Sequence, residues 1–333
     1  MSSGVLSDRF GRRISYLRLS VTDRCDLRCV YCMAENMRFL PKQEVLSLEE
    51  LERLSAAFID RGVEKIRITG GEPLVRRDVL RLIERLGGRL GRGLEELTLT
   101  TNATQLSRHA ADLKAAGVRR VNVSLDTLDD AVFERLTRRR ALSLALAGID
   151  AAQAAGLEVK INTVALKDAN RDEIPAMIEW AHGRGMAMTL IEVMPLGDVG
   201  ADRFDQYLPL SAVREDLEAR WTLTPSPMRT GGPSRYMTVA HTGGVLGFIT
   251  PLTNNFCDGC NRVRVTCTGQ IYMCLGHMDR IDLRAALRGP DPQRDLARAL
   301  DLAMARKPER HGFDISGPGQ APAAPRHMSV TGG

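Results

Sequence analysis

The sequence predicts an α/β fold, a partial (β/α)6 TIM-like barrel followed by an extension that contains antiparallel strands. Three observations carry that expectation. From about residue 14 to residue 194, short β-branched or apolar runs alternate with longer helical stretches, the pattern of parallel βα units joined by right-handed crossovers. Several helical stretches close on a glycine placed to take a left-handed conformation before the next strand. After Leu196 the alternation stops, and proline-rich and glycine-rich turns lead into a hairpin.

In chain order, the expected strands of the barrel are residues 17–21, 65–69, 96–100, 120–125, 159–163 and 187–193. The first helix between them is the most clearly written. Ser47 with Glu50 three residues on makes a capping box, Leu51, Leu54 and Phe58 form an apolar stripe, and Gly62 follows. Later helices end in Ala115-Ala116-Gly117 and Ala154-Ala155-Gly156. Six units are too few to close an eightfold barrel, so a partial one is expected, with its chemistry at the C-terminal ends of the strands. Farther on, a helix is expected near 211–220 and a hairpin over 235–240 and 245–249, turning at Thr242-Gly243-Gly244. The expected organisation is an N-terminal arm over 1–13, the barrel over 14–210, a C-terminal region over 211–306 and a tail over 307–333. The run Ala321-Pro322-Ala323-Ala324-Pro325 reads, on composition, as a disordered terminus.

Composition narrows the setting. Hydrophobic content of 44% beside 26% charge is ordinary for a soluble globular chain of 333 residues. No apolar run approaches a membrane span, and Met1-Ser2-Ser3-Gly4-Val5 lacks the apolar stretch of a secretory signal. A cytoplasmic location without a membrane partner is therefore expected. Seven cysteines, an odd count clustered at two places, suit metal work in a reducing compartment better than a disulfide framework. Lys+Arg exceed Asp+Glu by 46 − 41, giving +5, a balance that favours an anionic partner. Aromatics are only 5%, which disfavours an extended base-stacking surface, so no nucleic-acid partner is expected. Arg138-Arg139-Arg140 reads as a solvated helix end or loop.

The first cysteine group is Cys25-Asp26-Leu27-Arg28-Cys29-Val30-Tyr31-Cys32. It holds three thiolate candidates and no fourth ligand, whereas structural zinc needs four. A cubane iron-sulfur cluster takes one thiolate per iron, so three cysteines leave one iron open to a substrate or cosubstrate. The open alternatives are zinc completed from a distance and buried unreactive thiols. With an aromatic before the third cysteine, the spacing resembles the signature of radical S-adenosylmethionine enzymes. That resemblance implies a 4Fe-4S cluster whose open iron is chelated by S-adenosylmethionine, which is cleaved reductively to a 5′-deoxyadenosyl radical.

The second group is Cys257-x2-Cys260-x13-Cys274, with Cys267 between its members and His277 three residues beyond. By itself this segment leaves a Cys3His zinc site and a second cluster open. Between its second and third cysteines lies Asn261-Arg262-Val263-Arg264-Val265. In a strand Arg262 and Arg264 share a face, and two guanidiniums together make a fork for a polyphosphate. Arg18, Arg67 and Lys160 stand within otherwise apolar strands, where an inward charge is costly unless paired.

The first cluster motif, Gly70-Gly71-Glu72-Pro73 after the second strand, the Cys-x2-Cys-Asn-Arg-x-Arg-x9-Cys set and a terminal Gly332-Gly333 occur together. Their order and company resemble the GTP 3′,8-cyclase family of molybdenum-cofactor biosynthesis over nearly the whole chain. The resemblance implies a second 4Fe-4S cluster on Cys257, Cys260 and Cys274 that meets the guanine of GTP, leaving Cys267 and His277 as non-ligands. It implies Tyr31, Gly71, Ser124 and Met194 for S-adenosylmethionine. For GTP it implies Arg18, Arg67, Thr100, Lys160 and the run Arg262, Val263 and Arg264. The implied chemistry is hydrogen abstraction from ribose C3′, addition of that carbon to C8, and quenching by an electron and a proton, with no side chain as a covalent nucleophile. The tail is implied to reach into the barrel. Implied partners are a low-potential flavodoxin-type or ferredoxin-type donor, a downstream cyclic pyranopterin monophosphate synthase and a second copy in a homodimer. Two positions depart from the family pattern: Thr189, where relatives often carry arginine, and Ala34, where they commonly have proline. Competing readings are a radical enzyme acting on a peptide and a zinc-stabilised nucleic-acid-binding protein.

Overall fold

The computed structural model describes residues 4–199, 203–317 and 319–332. Its strands are, in chain order, β1 (Tyr16–Ser20), β2 (Lys65–Thr69), β3 (Glu96–Thr101), β4 (Arg120–Ser124), β5 (Glu158–Ala165), β6 (Ala187–Glu192), β7 (Leu223–Pro225), β8 (Arg235–Val239), β9 (Val245–Ile249), β10 (Arg262–Val265), β11 (Gln270–Tyr272) and β12 (Arg280–Asp282). They join in one sheet, in the order β12-β11-β10-β1-β2-β3-β4-β5-β6-β9-β8-β7. The six expected barrel strands are all present, with ends shifted by one or two residues. The expected hairpin is β8 and β9, and the helix expected near 211–220 is Leu210–Glu218.

The C-terminal region contributes more to the barrel than a separate appendage would. β9 pairs parallel with β6 and β10 pairs parallel with β1, so both edges of the six-stranded unit are extended by a parallel strand from beyond residue 211. Antiparallel pairs follow only outside these, β10 with β11 and β11 with β12 on one flank, β9 with β8 and β8 with β7 on the other.

Alternation along the strands divides the sheet into two faces. Leu17 and Leu19, Ile66 and Ile68, Leu97 and Leu99, Val121 and Val123, and Val263 and Val265 lie in one apolar core with the helices. The residues between them face the other way and are largely polar. The helix Leu48–Ile59 carries both hydrogen bonds of the expected capping box, Ser47 Oγ accepting from Glu50 N–H and Glu50 Oε2 accepting from Ser47 N–H. Gly62, Gly117 and Gly156 take the left-handed conformation that ends their helices, at φ +90°, +86° and +73°.

The tail is ordered against the barrel, against its reading as a frayed end. After the helix Pro292–Arg306, the chain returns so that Ala324 bridges Leu196 and its carbonyl accepts from Gly197 N–H at 2.8 Å. Arg326 fixes it by donating to His277 O at 2.8 Å and to Leu275 O, and by stacking over Tyr272 at 4.2 Å. The helical turn Met328–Thr331 then packs beside β1. The sequence composition missed this because the anchors are a single arginine and main-chain groups.

Candidate functional site

Strand direction places the two cysteine groups. The loop carrying Cys25, Cys29 and Cys32 follows the C-terminal end of β1. Cys260 precedes β10, which runs parallel to β1, and Cys274 follows β11, which runs antiparallel to β10. The two trios therefore lie at opposite ends of the parallel strands. All six cysteines border one chamber, which is lined between them by Arg18, Arg67, Thr100, Lys160, Arg262 and Arg264. Cys257 and Cys260 sit on the segment 250–261, which spans from the end of β9 to the start of β10.

Among the described residues, no three His, Cys, Asp or Glu side chains come together closely enough to share one metal ion. Donors that are all sulfur, set round a space and each facing the chamber, fit a cluster with one open corner. Cys267 does not join them: it is fully buried, burial pushes its thiol up to about 12, and its carbonyl accepts from Leu46 N–H. His277 Nε2 lies 2.9 Å from Arg310 O.

The N-terminal loop is held by acids. Asp26 accepts from Asn102 Nδ2 at 2.7 Å, Thr104 Oγ1 at 2.6 Å and Gln105 Nε2 at 3.1 Å. Arg28 N–H and Val30 N–H donate to Thr137 O and Leu136 O. Burial, with neighbouring thiols and carboxylates, raises the pKa of Cys25 and Cys29, so their thiolates need a positive charge close by.

The Gly-Gly-Glu-Pro turn packs directly on this loop. Gly71 N–H donates to Thr22 O at 2.9 Å and Glu72 N–H to Arg24 O at 2.8 Å. A Cβ on Gly71 would stand 2.4 Å from Arg24 O and 2.7 Å from Arg24 C, both main-chain atoms, so only glycine fits. Glu72 is fully buried and accepts from Leu74 N–H at 3.0 Å, Thr101 Oγ1 at 2.9 Å and Asn102 N–H at 2.7 Å. Burial raises its carboxyl to about 7 despite those bonds.

The other residues implied for S-adenosylmethionine also converge. Tyr31, Ser124 and Met194 border the chamber with Gly71. Tyr31 OH donates to Asp126 Oδ2 at 2.5 Å, while Asp126 Oδ1 accepts from Val164 N–H at 2.9 Å. Burial lifts Asp126 to about 6 and Tyr31 well above its ordinary value.

At the opposite end the lining is cationic. Arg264, Arg18 and Arg67 are in register across β10, β1 and β2. Among the described residues Arg67 pairs with no carboxylate, and Lys160 is buried. Arg67 is buried, its guanidinium lies 5.5 Å from the Tyr16 ring centroid, and Nε finds no hydrogen-bond partner. Lys160 is 5% exposed and donates to Tyr236 OH at 2.8 Å. Among the described residues Arg67, Lys160, Arg262 and Arg264 form no ion pair with a carboxylate. Burial, reinforced by neighbouring cations, lowers the pKa of Arg18 to about 10 and those of Lys160 and Arg264 well below their ordinary values. For Tyr16 burial opposes ionisation, yet Arg67, Arg18 and Lys65 bring its phenol down to about 8. A chamber with so much positive charge and so few carboxylates is built for an anion.

Thr100 Oγ1 lies in the lining without a partner. Val263 borders the chamber but belongs to the apolar core. Thr189 is fully buried with Oγ1 unpartnered, so no cation stands at that position. The tail reaches the cationic end: Gly332 O accepts from Arg264 Nη1 at 2.8 Å, and a Cβ on Gly332 would stand 2.0 Å from Thr69 Oγ1. Gly333, the last residue of the motif, lies outside the described residues.

Sequence reasoning named Asp26 and Glu72 only as members of their motifs and missed Tyr16, Asp126 and the loop carrying Thr230 and Ser234. Tyr16 carried a signal, since it stands two residues before Arg18 and so shares its face. Asp126 and the loop have no spacing of their own.

Two family models match successive parts of the chain, with their limits at residues 181 and 186. The family model described as Radical SAM superfamily matches residues 19–181, and Molybdenum Cofactor Synthesis C matches residues 186–313. A protein of Erythrobacter litoralis named GTP 3′,8-cyclase is 68% identical over 333 residues, covering 100% of both chains. One of Rhizobium meliloti with the same name is 62% identical over 327 residues, covering 98% of this chain and 94% of its own. Among solved structures, Streptococcus suis SuiB bound to S-adenosylmethionine has a TM-score of 0.59 at 16% identity, covering 89% of this chain and 68% of that one. Native anSMEcpe with bound AdoMet has a TM-score of 0.55 at 12% identity, covering 85% and 83%. These two show likeness of fold alone.

Proposed function

We propose the following roles for the residues of a chain that belongs to the GTP 3′,8-cyclase family. It is a radical S-adenosylmethionine enzyme that converts GTP to (8S)-3′,8-cyclo-7,8-dihydroguanosine 5′-triphosphate, the first step of molybdenum-cofactor biosynthesis. S-adenosylmethionine and the iron-sulfur clusters supply the radical chemistry when bound.

Cys25, Cys29 and Cys32 hold one cluster, and Cys257, Cys260 and Cys274 hold the other. Tyr31, Gly71, Ser124 and Met194 enclose S-adenosylmethionine: Ser124 offers a hydroxyl, and the Tyr31 ring is fixed by its bond to Asp126. Arg18, Arg67, Lys160, Arg262 and Arg264 neutralise the triphosphate, with Thr100 Oγ1 as a neutral donor and Val263 supporting the arginine pair between which it lies. Gly332 closes the substrate end, where the lack of a side chain allows the main chain against Thr69. These residues bind, orient and exclude water, and none acts as a nucleophile.

The observation that best supports this reading is the register of Arg264, Arg18 and Arg67, joined by Lys160, in a chamber that both cysteine trios border. Substrate phosphate supplies the counter-charge that Arg67, Lys160 and Arg264 lack among the described residues. The wider setting is a low-potential donor of flavodoxin or ferredoxin type, hand-over to cyclic pyranopterin monophosphate synthase, and a homodimer. No helix among the described residues is long and apolar enough to cross a membrane, and exposed clusters call for the reducing cytoplasm. The test is anaerobic incubation of reconstituted protein with GTP, S-adenosylmethionine and dithionite, followed by chromatography and mass spectrometry. A GTP isomer formed with 5′-deoxyadenosine is expected. Cleavage of S-adenosylmethionine with GTP left unchanged would refute the assignment.

A further inference from the structure

The most deeply buried of the described lysines and arginines lies outside the chamber lining. Lys307 immediately follows the helix Pro292–Arg306 and is 1% exposed. Its ammonium donates to Met273 O at 2.7 Å and Arg262 O at 3.0 Å, and meets Cys260 Sγ at 3.5 Å. Those contacts use all three of its protons. Among the described residues it forms no ion pair with a carboxylate. Carbonyl dipoles offset only part of the cost of burying an ammonium, so a nearby negative charge is required. The available groups are sulfurs: Cys260 in contact, and Cys274, which directly follows the Met273 carbonyl that Lys307 holds.

The two cysteine groups differ sharply in this respect. Beside the N-terminal trio stand carboxylates: Asp26 with Oδ1 3.9 Å from Cys25 Sγ, then buried Glu72 and Asp126. Its nearby cation, Arg28, binds the carbonyls of Cys25 and Leu27 and not a sulfur. Beside the C-terminal trio stand Lys307 and Arg262. Cluster potentials follow local charge and hydrogen bonds to sulfur.

Resting on the two-cluster reading above, we propose that Lys307 is a positioning residue of the C-terminal cluster. Its fixed charge behind Cys260 balances the thiolates and holds that cluster's reduction potential above the N-terminal one. Its bonds to Arg262 O and Met273 O hold the ammonium in place beside Cys260, between the segments that carry Cys260 and Cys274.

The experiment uses full-length protein reconstituted anaerobically, as wild type, Lys307→Met and Lys307→Gln. Lys307→Met removes the charge and Lys307→Gln removes it while keeping a donor. Iron and sulfide counts on the wild type test the two-cluster reading separately: one cluster per chain would overturn that reading. Potentiometric titration followed by electron paramagnetic resonance then reads both midpoints, with a Cys25→Ser, Cys29→Ser, Cys32→Ser background assigning the C-terminal signal. The expected result is a lowered C-terminal midpoint in each neutral variant and an unchanged N-terminal midpoint. The proposal is overturned by an unchanged C-terminal midpoint, by equal shifts of both clusters, or by loss of the C-terminal cluster from both variants, which would leave Lys307 a purely structural strut.

Discussion

Replacing Lys160 by methionine should make the ligand-free enzyme more stable and its substrate complex weaker. Lys160 is 5% exposed and forms no ion pair with a carboxylate among the described residues. Burial and the charges of Arg67 and Arg120 disfavour its ammonium. Methionine keeps the length and apolar stem, and Tyr236 OH retains Thr230 Oγ1 at 2.9 Å after losing Nζ. Removing an uncompensated buried charge should stabilise the protein by about 1 kcal/mol or more, an upward shift of about 2 °C in a chain of this size. A base whose folded pKa is depressed carries its full penalty below that pKa and none above the unfolded value, so the gain should vanish as pH rises towards the ordinary lysine range. In the complex, the lost charge-assisted hydrogen bond to phosphate is worth about 1.5 to 3 kcal/mol, or about 10- to 150-fold in Kd. Anaerobic thermal-shift measurements without nucleotide and equilibrium dialysis with GTP read the two effects independently. A ligand-free variant less stable than wild type, or unchanged GTP binding, would show that Lys160 serves the scaffold and not the substrate.

Four further outcomes follow from the same geometry. Gly71→Ala should halve the iron per chain by displacing the Arg24 carbonyl, and retention of both clusters would contradict the close-approach argument. Glu72→Gln should flatten a pH dependence: with a folded pKa near 7 against an ordinary 4.5, the wild type's Glu72 contribution is complete below pH 4.5 and is lost as pH rises through 7. That amounts to about 3 kcal/mol from the size of the shift, read as a slope in the difference between denaturant midpoints at pH 5 and pH 8. Gly332→Ala, or removal of Gly332 and Gly333, should abolish cyclisation with both clusters intact; full turnover would sink the role of the tail. Arg326→Ala should expose residues 308–325 to limited proteolysis, an effect absent if the Ala324 bridge to Leu196 alone holds the segment.

The six parallel strands were legible because each is a short apolar run and three of them, β2, β4 and β5, follow a helix-ending glycine, and the cysteine groups because sulfur spacing is chemically restrictive. The pairing of β9 with β6 and of β10 with β1 was not legible. Val245–Ile249 reads locally as one arm of a hairpin, and nothing within it records a second, parallel neighbour. Likewise Arg67 and Lys160 stood out as charges in apolar strands, but whether each met a carboxylate, solvent or an empty chamber depended on the strands beside them. Asp126 and the buried role of Glu72 were hidden for the opposite reason: each carboxylate accepts from main-chain N–H groups that any sequence would offer.

The arrangement of β10 has a consequence for how the polypeptide is made. All five residues of β1 are buried, yet one flank of β1 stays bare until residue 262 has been synthesised, and β6 likewise waits for residue 245. A nascent or truncated chain stopping near residue 210 would present two long sticky borders, the kind of surface that recruits other chains. The halves matched by the two family models are therefore expected to be poor candidates for separate expression, because each would leave uncovered a strand flank that the other supplies.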